Sequence, residues 1–153
     1  MSIRLCTGDL LASKCDILVN TVNCVGVMGA GIAVEFKKRY PEMYKNYTRM
    51  CNNNYLKLGD IYVYIPEEGP IVYNLMTQGV NDVRGYKSIA LATYEAIYLS
   101  LKNMIDHAKD NHINTIGIPK IGAGLGGLEW EKVAEIVNRA QLFGMVEITV
   151  CYI

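Results

Sequence analysis

Two glycine-rich stretches hold the residues best suited to chemistry. The first runs Asn20-Thr21-Val22-Asn23-Cys24-Val25-Gly26-Val27-Met28-Gly29-Ala30-Gly31-Ile32-Ala33, and the second Pro119-Lys120-Ile121-Gly122-Ala123-Gly124-Leu125-Gly126-Gly127-Leu128. Each follows an apolar run and leads into a helical pattern. Glycine lets the backbone approach a ligand closely and take positive φ, while a helix start offers unpaired N–H groups and the positive end of its dipole. These are the requirements for holding a phosphate, and two such loops at strand ends would clamp a diphosphate from both sides. A dinucleotide-binding G-x-G-x-x-G would need glycine at position 34, where Val34 stands, and the G-K-[ST] of a P-loop occurs nowhere. Tight turns also explain glycine clusters, so the loops alone point to an anion site without naming its ligand.

The pattern around the loops predicts the elements that position them. Residues 3–7 read as a short opening strand stopped by Gly8-Asp9, and Asp16 to Asn20 (D-I-L-V-N) as a strand buried on both faces. After the first loop, Ile32, Ala33, Phe36 and Tyr40 mark a helix; Lys37, Lys38 and Arg39 complement its dipole, and Pro41 ends it or starts the next, over 42–51. Residues 60–65 and 71–76 read as strands joined by Glu67-Glu68-Gly69-Pro70. Residues 78–87 read as a loop with Asn81, Asp82, Arg84 and Lys87, and 88–108 as one long amphipathic helix through Ile89, Ala92, Ala96, Ile97, Leu101, Met104 and Ile105. A strand at 115–118 precedes the second loop, with a helix over 129–140 and a last strand over 147–152. Alternating strands and helices argue for a mixed sheet covered on both faces, with ligands beyond the carboxyl ends of its strands.

At 153 residues the chain fits one domain over residues 1–153, with a globular composition of 51% hydrophobic and 20% charged residues. Fifteen acids balance fifteen bases. A nucleic-acid binder usually carries a basic excess, so a nucleic-acid partner is not expected from this charge balance. Five cysteines (Cys6, Cys15, Cys24, Cys51, Cys151) form an odd set without a C-x-x-C pair, and His107 and His112 lie at no metal-ligand spacing from them. Free thiols in a reducing cytosol are expected, with no metal and no cofactor. Met1-Ser2-Ile3-Arg4-Leu5 lacks a signal peptide's apolar region and the longest apolar runs are strand-sized, so the expectation is a soluble, cytoplasmic monomer without membrane contact.

Taken together, these residues resemble the macrodomain family over nearly the whole chain. Gly8-Asp9-Leu10 resembles the family's opening G-D-[IL] motif, whose acid accepts a hydrogen bond from the adenine amino group. Val19-Asn20-Thr21-Val22-Asn23 resembles its V-N-x-x-N stretch, whose second asparagine faces the distal ribose. Met28 to Ala33 is similar to its first diphosphate loop and Ile121 to Leu128 to its second. The resemblance implies a three-layer α/β/α macrodomain with a mixed central sheet that binds ADP-ribose or a derivative, so that a nucleic acid would be a partner only if ADP-ribosylated. It implies ligand contacts from Asp9, Leu10, Asn23, Gly29, Ala30, Gly31, Ile32, Thr77, Gly122, Ala123, Gly124, Leu125 and Gly126, with Tyr152 either stacking on adenine or plugging the core.

Met28-Gly29-Ala30-Gly31-Ile32-Ala33, then Phe36-Lys37-Lys38-Arg39-Tyr40-Pro41 and Asn46-Tyr47, is closest to a branch that contains ADP-ribose 1″-phosphate phosphatases. The same branch contains glycohydrolases acting on terminal or DNA-linked ADP-ribose. Those glycohydrolases place a catalytic lysine after the threonine of the central strand, and the terminal-ADP-ribose enzymes carry an aspartate in the second loop. Here Gln78 and Gly126 stand at those positions. The expected activity is therefore hydrolysis of ADP-ribose 1″-phosphate, with Asn23 aligning the ribose for a bound water that attacks the terminal phosphate. A further acid or base is expected in the 78–87 segment, with Asp82 as the candidate. A glycohydrolase or O-acetyl-ADP-ribose deacetylase, and a reader that binds without turnover, are the rival expectations. Asp9 also fits a turn or helix cap, and Asn23 a loop staple. Trp130 and Phe36 read as core, His107 and His112 as solvated, and Cys24 as small filler.

Overall fold

The computed structural model describes residues 4–121, 127–144 and 146–152, with the side chains at 5–7, 143 and 150–152 outside the description. In chain order the elements are β1 (Arg4–Thr7), a 3₁₀ turn (Leu10–Ala12), β2 (Ile17–Asn23), α1 (Ile32–Arg39), α2 (Pro41–Asn52), β3 (Ile61–Tyr64) and β4 (Ile71–Val83). There follow β5 (Tyr86–Ala92), α3 (Tyr94–Asp110), β6 (Thr115–Ile118), α4 (Trp130–Gly144) and β7 (Glu147–Tyr152). Among the described residues the strands form one sheet in the order β1-β7-β6-β2-β4-β3, with β5 paired to the outer part of β4. β1, β7, β6, β2 and β4 run parallel, while β3 and β5 pair antiparallel to β4.

Alternation along the central strands builds two cores. Ile17 and Val19 of β2, Tyr73 and Leu75 of β4, and Ile116 and Ile118 of β6 pack with α3 and α4 on one face. Leu18 and Val22 of β2 and Val72 and Met76 of β4 pack with α1, α2 and the 3₁₀ turn on the other. Because successive side chains point to opposite faces, an unbroken apolar run is what a strand covered on both sides needs. The result is the expected three-layer α/β/α arrangement with a mixed sheet. Asn20 and Asn74 sit opposite each other in the β2–β4 register; the Asn20 amide donates to Asn74 Oδ1 at 3.0 Å, and Asn74 donates to the Tyr62 carbonyl at 3.2 Å. A one-residue slip would bury these amides unpaired, so the pair fixes the register from which the first loop departs.

Three expectations are corrected. Residues 78–87 are not a loop: β4 continues to Val83 and turns through Arg84 and Gly85, both at positive φ (52° and 88°), into β5. Consecutive positive φ values suit a two-residue hairpin turn, whose twist matches that of its strands. Residues 88–92 are correspondingly strand rather than helix. α3 begins only after Thr93, whose side chain accepts from the Ala96 N–H at 3.1 Å as an N-cap. Finally, His107 is not simply solvated: half-buried on α3, its Nδ1 lies 2.5 Å from the Tyr73 hydroxyl, and the two rings meet edge to face.

Candidate functional site

A cleft of about 770 Å³ opens beyond the carboxyl ends of β2 and β6, within the size range of small-molecule sites. Its walls come from four places. Thr21, Val22, Asn23 and Val27 follow β2; Gly29, Ala30, Gly31, Ile32 and Ala33 form the first glycine loop and the start of α1; Thr77, Gln78, Ile89, Leu91 and Ala92 belong to the β4–β5 hairpin; Pro119 and Lys120 follow β6. Of the residues expected to touch ligand, Asn23, Gly29, Ala30, Gly31, Ile32 and Thr77 are thus brought together. Gly122, Ala123, Gly124, Leu125 and Gly126 lie outside the described residues, as does the Tyr152 side chain.

The first loop is shaped for an anion. Gly31 precedes α1 with φ 61° and ψ −146° and gives no side-chain cap. That conformation is essentially restricted to glycine; the Val34 N–H donates back to the Gly31 carbonyl at 3.2 Å, and the N–H groups ahead of it belong to a helix start, where no intrahelical acceptor exists. The loop is held from beneath by Asn23. Its Oδ1 accepts from the backbone N–H groups of Val25, Gly26 and Val27 at 3.0, 3.1 and 3.3 Å, and its amide donates to the Val27 carbonyl at 2.8 Å. The Tyr47 hydroxyl of α2 donates within reach of both Asn23 Oδ1 (2.9 Å) and its carbonyl (2.5 Å), and Thr48 donates to the Gly26 carbonyl at 3.1 Å. Burial pushes the Tyr47 phenol well above its ordinary range, so it stays a donor.

Asp9 and Leu10 stand beside the cleft-lining set rather than in it. Asp9 is exposed at the end of β1, with Oδ1 accepting from the Leu11 N–H at 3.0 Å as cap of the 3₁₀ turn, while Leu10 is fully buried. Asp82 sits at the hairpin tip, where Oδ1 accepts from the Gly85 N–H at 2.8 Å; it is not among the residues lining the cleft. Gln78 donates from Nε2 to the Ala90 carbonyl of β5 at 3.0 Å, and its own carbonyl accepts from the Cys24 N–H at 2.9 Å. Cys24 is half-buried. Burial foremost, then the negative charge of Cys51 and Asp60, pushes its thiol up to about 11, which disqualifies it as a nucleophile near neutral pH.

Ile89, Leu91 and Lys120 escaped the sequence reading. Ile89 and Leu91 were hidden by a helical spacing that runs on into α3, although Thr93 as an N-cap residue was a signal that β5 ends before it. Leu91 is 69% exposed, and a Cβ placed on Gly127 would meet its Cδ2 at 4.0 Å, so the hairpin faces the end of the second loop across the cleft. Lys120, exposed at the rim with Nζ 5.8 Å from the centroid of the Trp130 ring, stands two residues before Gly122.

A family model described as "Macro domain" matches residues 19–137. The chain is 32% identical over 143 residues to a DNA ADP-ribosyl glycohydrolase of Thermus aquaticus, covering 90% of this chain and 37% of that protein. It is 31% identical to the human ADP-ribose glycohydrolase OARD1, with 94% and 86% covered, and 28% identical to an ADP-ribose 1″-phosphate phosphatase of Candida albicans, with 84% and 87% covered. It spans little more than a third of the length of the DNA ADP-ribosyl glycohydrolases it matches. Among solved structures, the macrodomain of Mycobacterium tuberculosis DarG superposes with a TM-score of 0.83 at 33% identity over 98% of both chains. Thermosipho africanus DarTG in complex with ADP-ribose gives 0.81 at 25% identity over 98% of this chain and 42% of that one. Strand order, the cleft at the strand ends and the sequence match agree, and the chain belongs to the Macro domain family.

Proposed function

We propose that the cleft binds ADP-ribose derivatives and hydrolyses ADP-ribose 1″-phosphate to ADP-ribose and phosphate. One observation carries this reading: among the described residues lining the cleft, Lys120 bears the one titratable side chain. Residues 122–126 add none, being glycine, alanine and leucine. Without a carboxylate or imidazole among those residues to protonate a departing group, the proton must come from the substrate. A phosphate monoester supplies it: with a second pKa of about 6, its monoanion is present near neutral pH, and its own proton passes to the bridging 1″ oxygen. Lys120 with the α1 N–H groups supplies positive potential for the remaining charge. Water bonds to phosphorus as the P–O1″ bond breaks; ADP-ribose leaves with its 1″-hydroxyl protonated, and the water's oxygen and hydrogens stay on the released phosphate. Catalysis comes from positioning, with Asn23 holding the loop in shape.

The glycohydrolase reading is favoured by relatives named for that activity, including the macrodomain-bearing DNA ADP-ribosyl glycohydrolases. Gln78 weighs against its lysine-dependent form. Its amide is neither nucleophile nor base near neutral pH, and it is committed to the Ala90 carbonyl. Phosphate release from ADP-ribose 1″-phosphate is the test, run beside ADP-ribosylated DNA, ADP-ribosylated protein and O-acetyl-ADP-ribose. Wild type is expected to act on the phosphate ester, with label from ¹⁸O-water entering the released phosphate. Efficient cleavage of ADP-ribosylated DNA with the phosphate ester untouched would overturn the reading.

A further inference from the structure

The chain is electrically neutral overall, but its charges are not evenly spread. Residues 37–57 contain six bases (Lys37, Lys38, Arg39, Lys45, Arg49 and Lys57) and one acid, Glu42, against nine bases and fourteen acids elsewhere. A second, shallower cavity of about 380 Å³ lies within this segment. Tyr44, Lys45, Thr48, Arg49, Asn52 and Asn53 line it, which is one exposed face of α2 at helical spacing. Tyr55, just beyond the helix, is 72% exposed.

From this we infer that the α2 face is a docking surface for a single-stranded nucleic acid. Paired cations one helical turn apart suit a phosphodiester backbone, asparagine side chains suit sugar and phosphate oxygens, and the exposed Tyr55 phenol, two residues beyond Asn53 in the chain, suits base stacking. The nearby acids do little to neutralise the face. Glu42 pairs with Lys45 at 3.5 Å, and Glu35 with Lys38 at 3.8 Å, both in water. The Arg49 guanidinium donates to the neutral Asn46 amide oxygen. The groove is tied to the first loop, because Thr48 lines it and also donates to the Gly26 carbonyl. A strand on α2 would therefore run beside the ADP-ribose site without entering it.

Fluorescence anisotropy with labelled single-stranded DNA and RNA twelve-mers tests this, with calorimetry of ADP-ribose on the same samples. Binding to at least one oligonucleotide is expected, weakening by at least about ten-fold as salt rises from about 50 to 200 mM. Lys45→Glu combined with Arg49→Glu should lose at least about ten-fold in oligonucleotide affinity while leaving ADP-ribose binding unchanged. Lys102→Glu combined with Lys109→Glu, on α3 across the sheet, should bind oligonucleotide as wild type does. No anisotropy change at low salt, equal losses in both double variants, or binding to phosphatidylserine vesicles in place of oligonucleotides would each overturn it. ADP-ribose binding is read separately, so failure here leaves the cleft's assignment standing, and failure of that assignment leaves this one.

Discussion

Asn23 shows how one side chain shapes a site without necessarily touching what the site binds. Its oxygen takes three backbone N–H groups and the Tyr47 hydroxyl, and its amide takes a carbonyl, so the loop Val25–Val27 is folded around it. Asn23→Ala should cost roughly 1–3 kcal/mol for the buried groups left unpaired and weaken ADP-ribose binding in parallel. Denaturation with calorimetry would show both losses; unchanged stability with lost binding would make Asn23 a direct ligand contact instead. Beneath it, Cys24 and Cys51 form an alkaline weak point. Burial raises both thiols to about 11 from an ordinary 9.0, so folding favours the protonated thiols. Their contribution is complete below pH 9 and is lost as pH rises toward 11. The melting temperature should fall across that window under reducing conditions, and Cys51→Ala should make the fall shallower even though it starts lower. The resemblance pointed to Asn23, but its four backbone partners were not legible in V-N-x-x-N, because they depend on how the next four residues curl back.

Elements declare themselves in sequence when one signal dominates and disappear when two compete. D-I-L-V-N reads as a buried strand, and Gly29-Ala30-Gly31 before an amphipathic run as a loop feeding a helix; both lie where expected, β2 extending to Asn23. The β4–β5 hairpin was lost because its turn is Arg84-Gly85 rather than Asn-Gly, and because Ile89, Ala92 and Ala96 keep helical spacing across a strand end. Arg84 sits at φ 52°, a conformation that asparagine tolerates better than arginine. Arg84→Asn should therefore raise stability by about 0.5–1 kcal/mol, measurable by urea denaturation; no gain would mean that Arg84 makes a compensating contact. Gly31→Val acts on the opposite kind of position. Its φ 61° and ψ −146° exclude a branched side chain, so ADP-ribose binding should be abolished while circular dichroism stays native-like. Loss of the fold would show that the turn, rather than the anion site, is what requires glycine.

At the scale of the molecule, strand order dictates ligand order. The first loop leaves β2 and the second leaves β6, its neighbour, so any diphosphate held by both lies over the centre of the sheet. β7 and β1 extend to one side, carrying Asp9 at the end of β1; β4 and its hairpin extend to the other, carrying Thr77, Gln78, Ile89 and Leu91. A nucleotide-like ligand held by both loops would be laid across strands distant in sequence, and its binding would be felt at several separated segments together. ADP-ribose is expected to bind in the micromolar range, about −8 kcal/mol. At about one hundred times Kd it should stabilise the fold by about 2.7 kcal/mol. At roughly 2–4 °C per kcal/mol for a chain of this size, the melting temperature should rise by about 5–10 °C. Hydrogen exchange would locate the effect. Protection should appear at once in residues 23–33, 77–79 and 89–92 and at Lys120, and should be absent from the outer face of α3, around Lys102 and Lys109. Protection limited to the first loop would mean that a free anion site had been read as half of a clamp. Protection of all these segments with no thermal shift would mean that ligand also binds the unfolded chain.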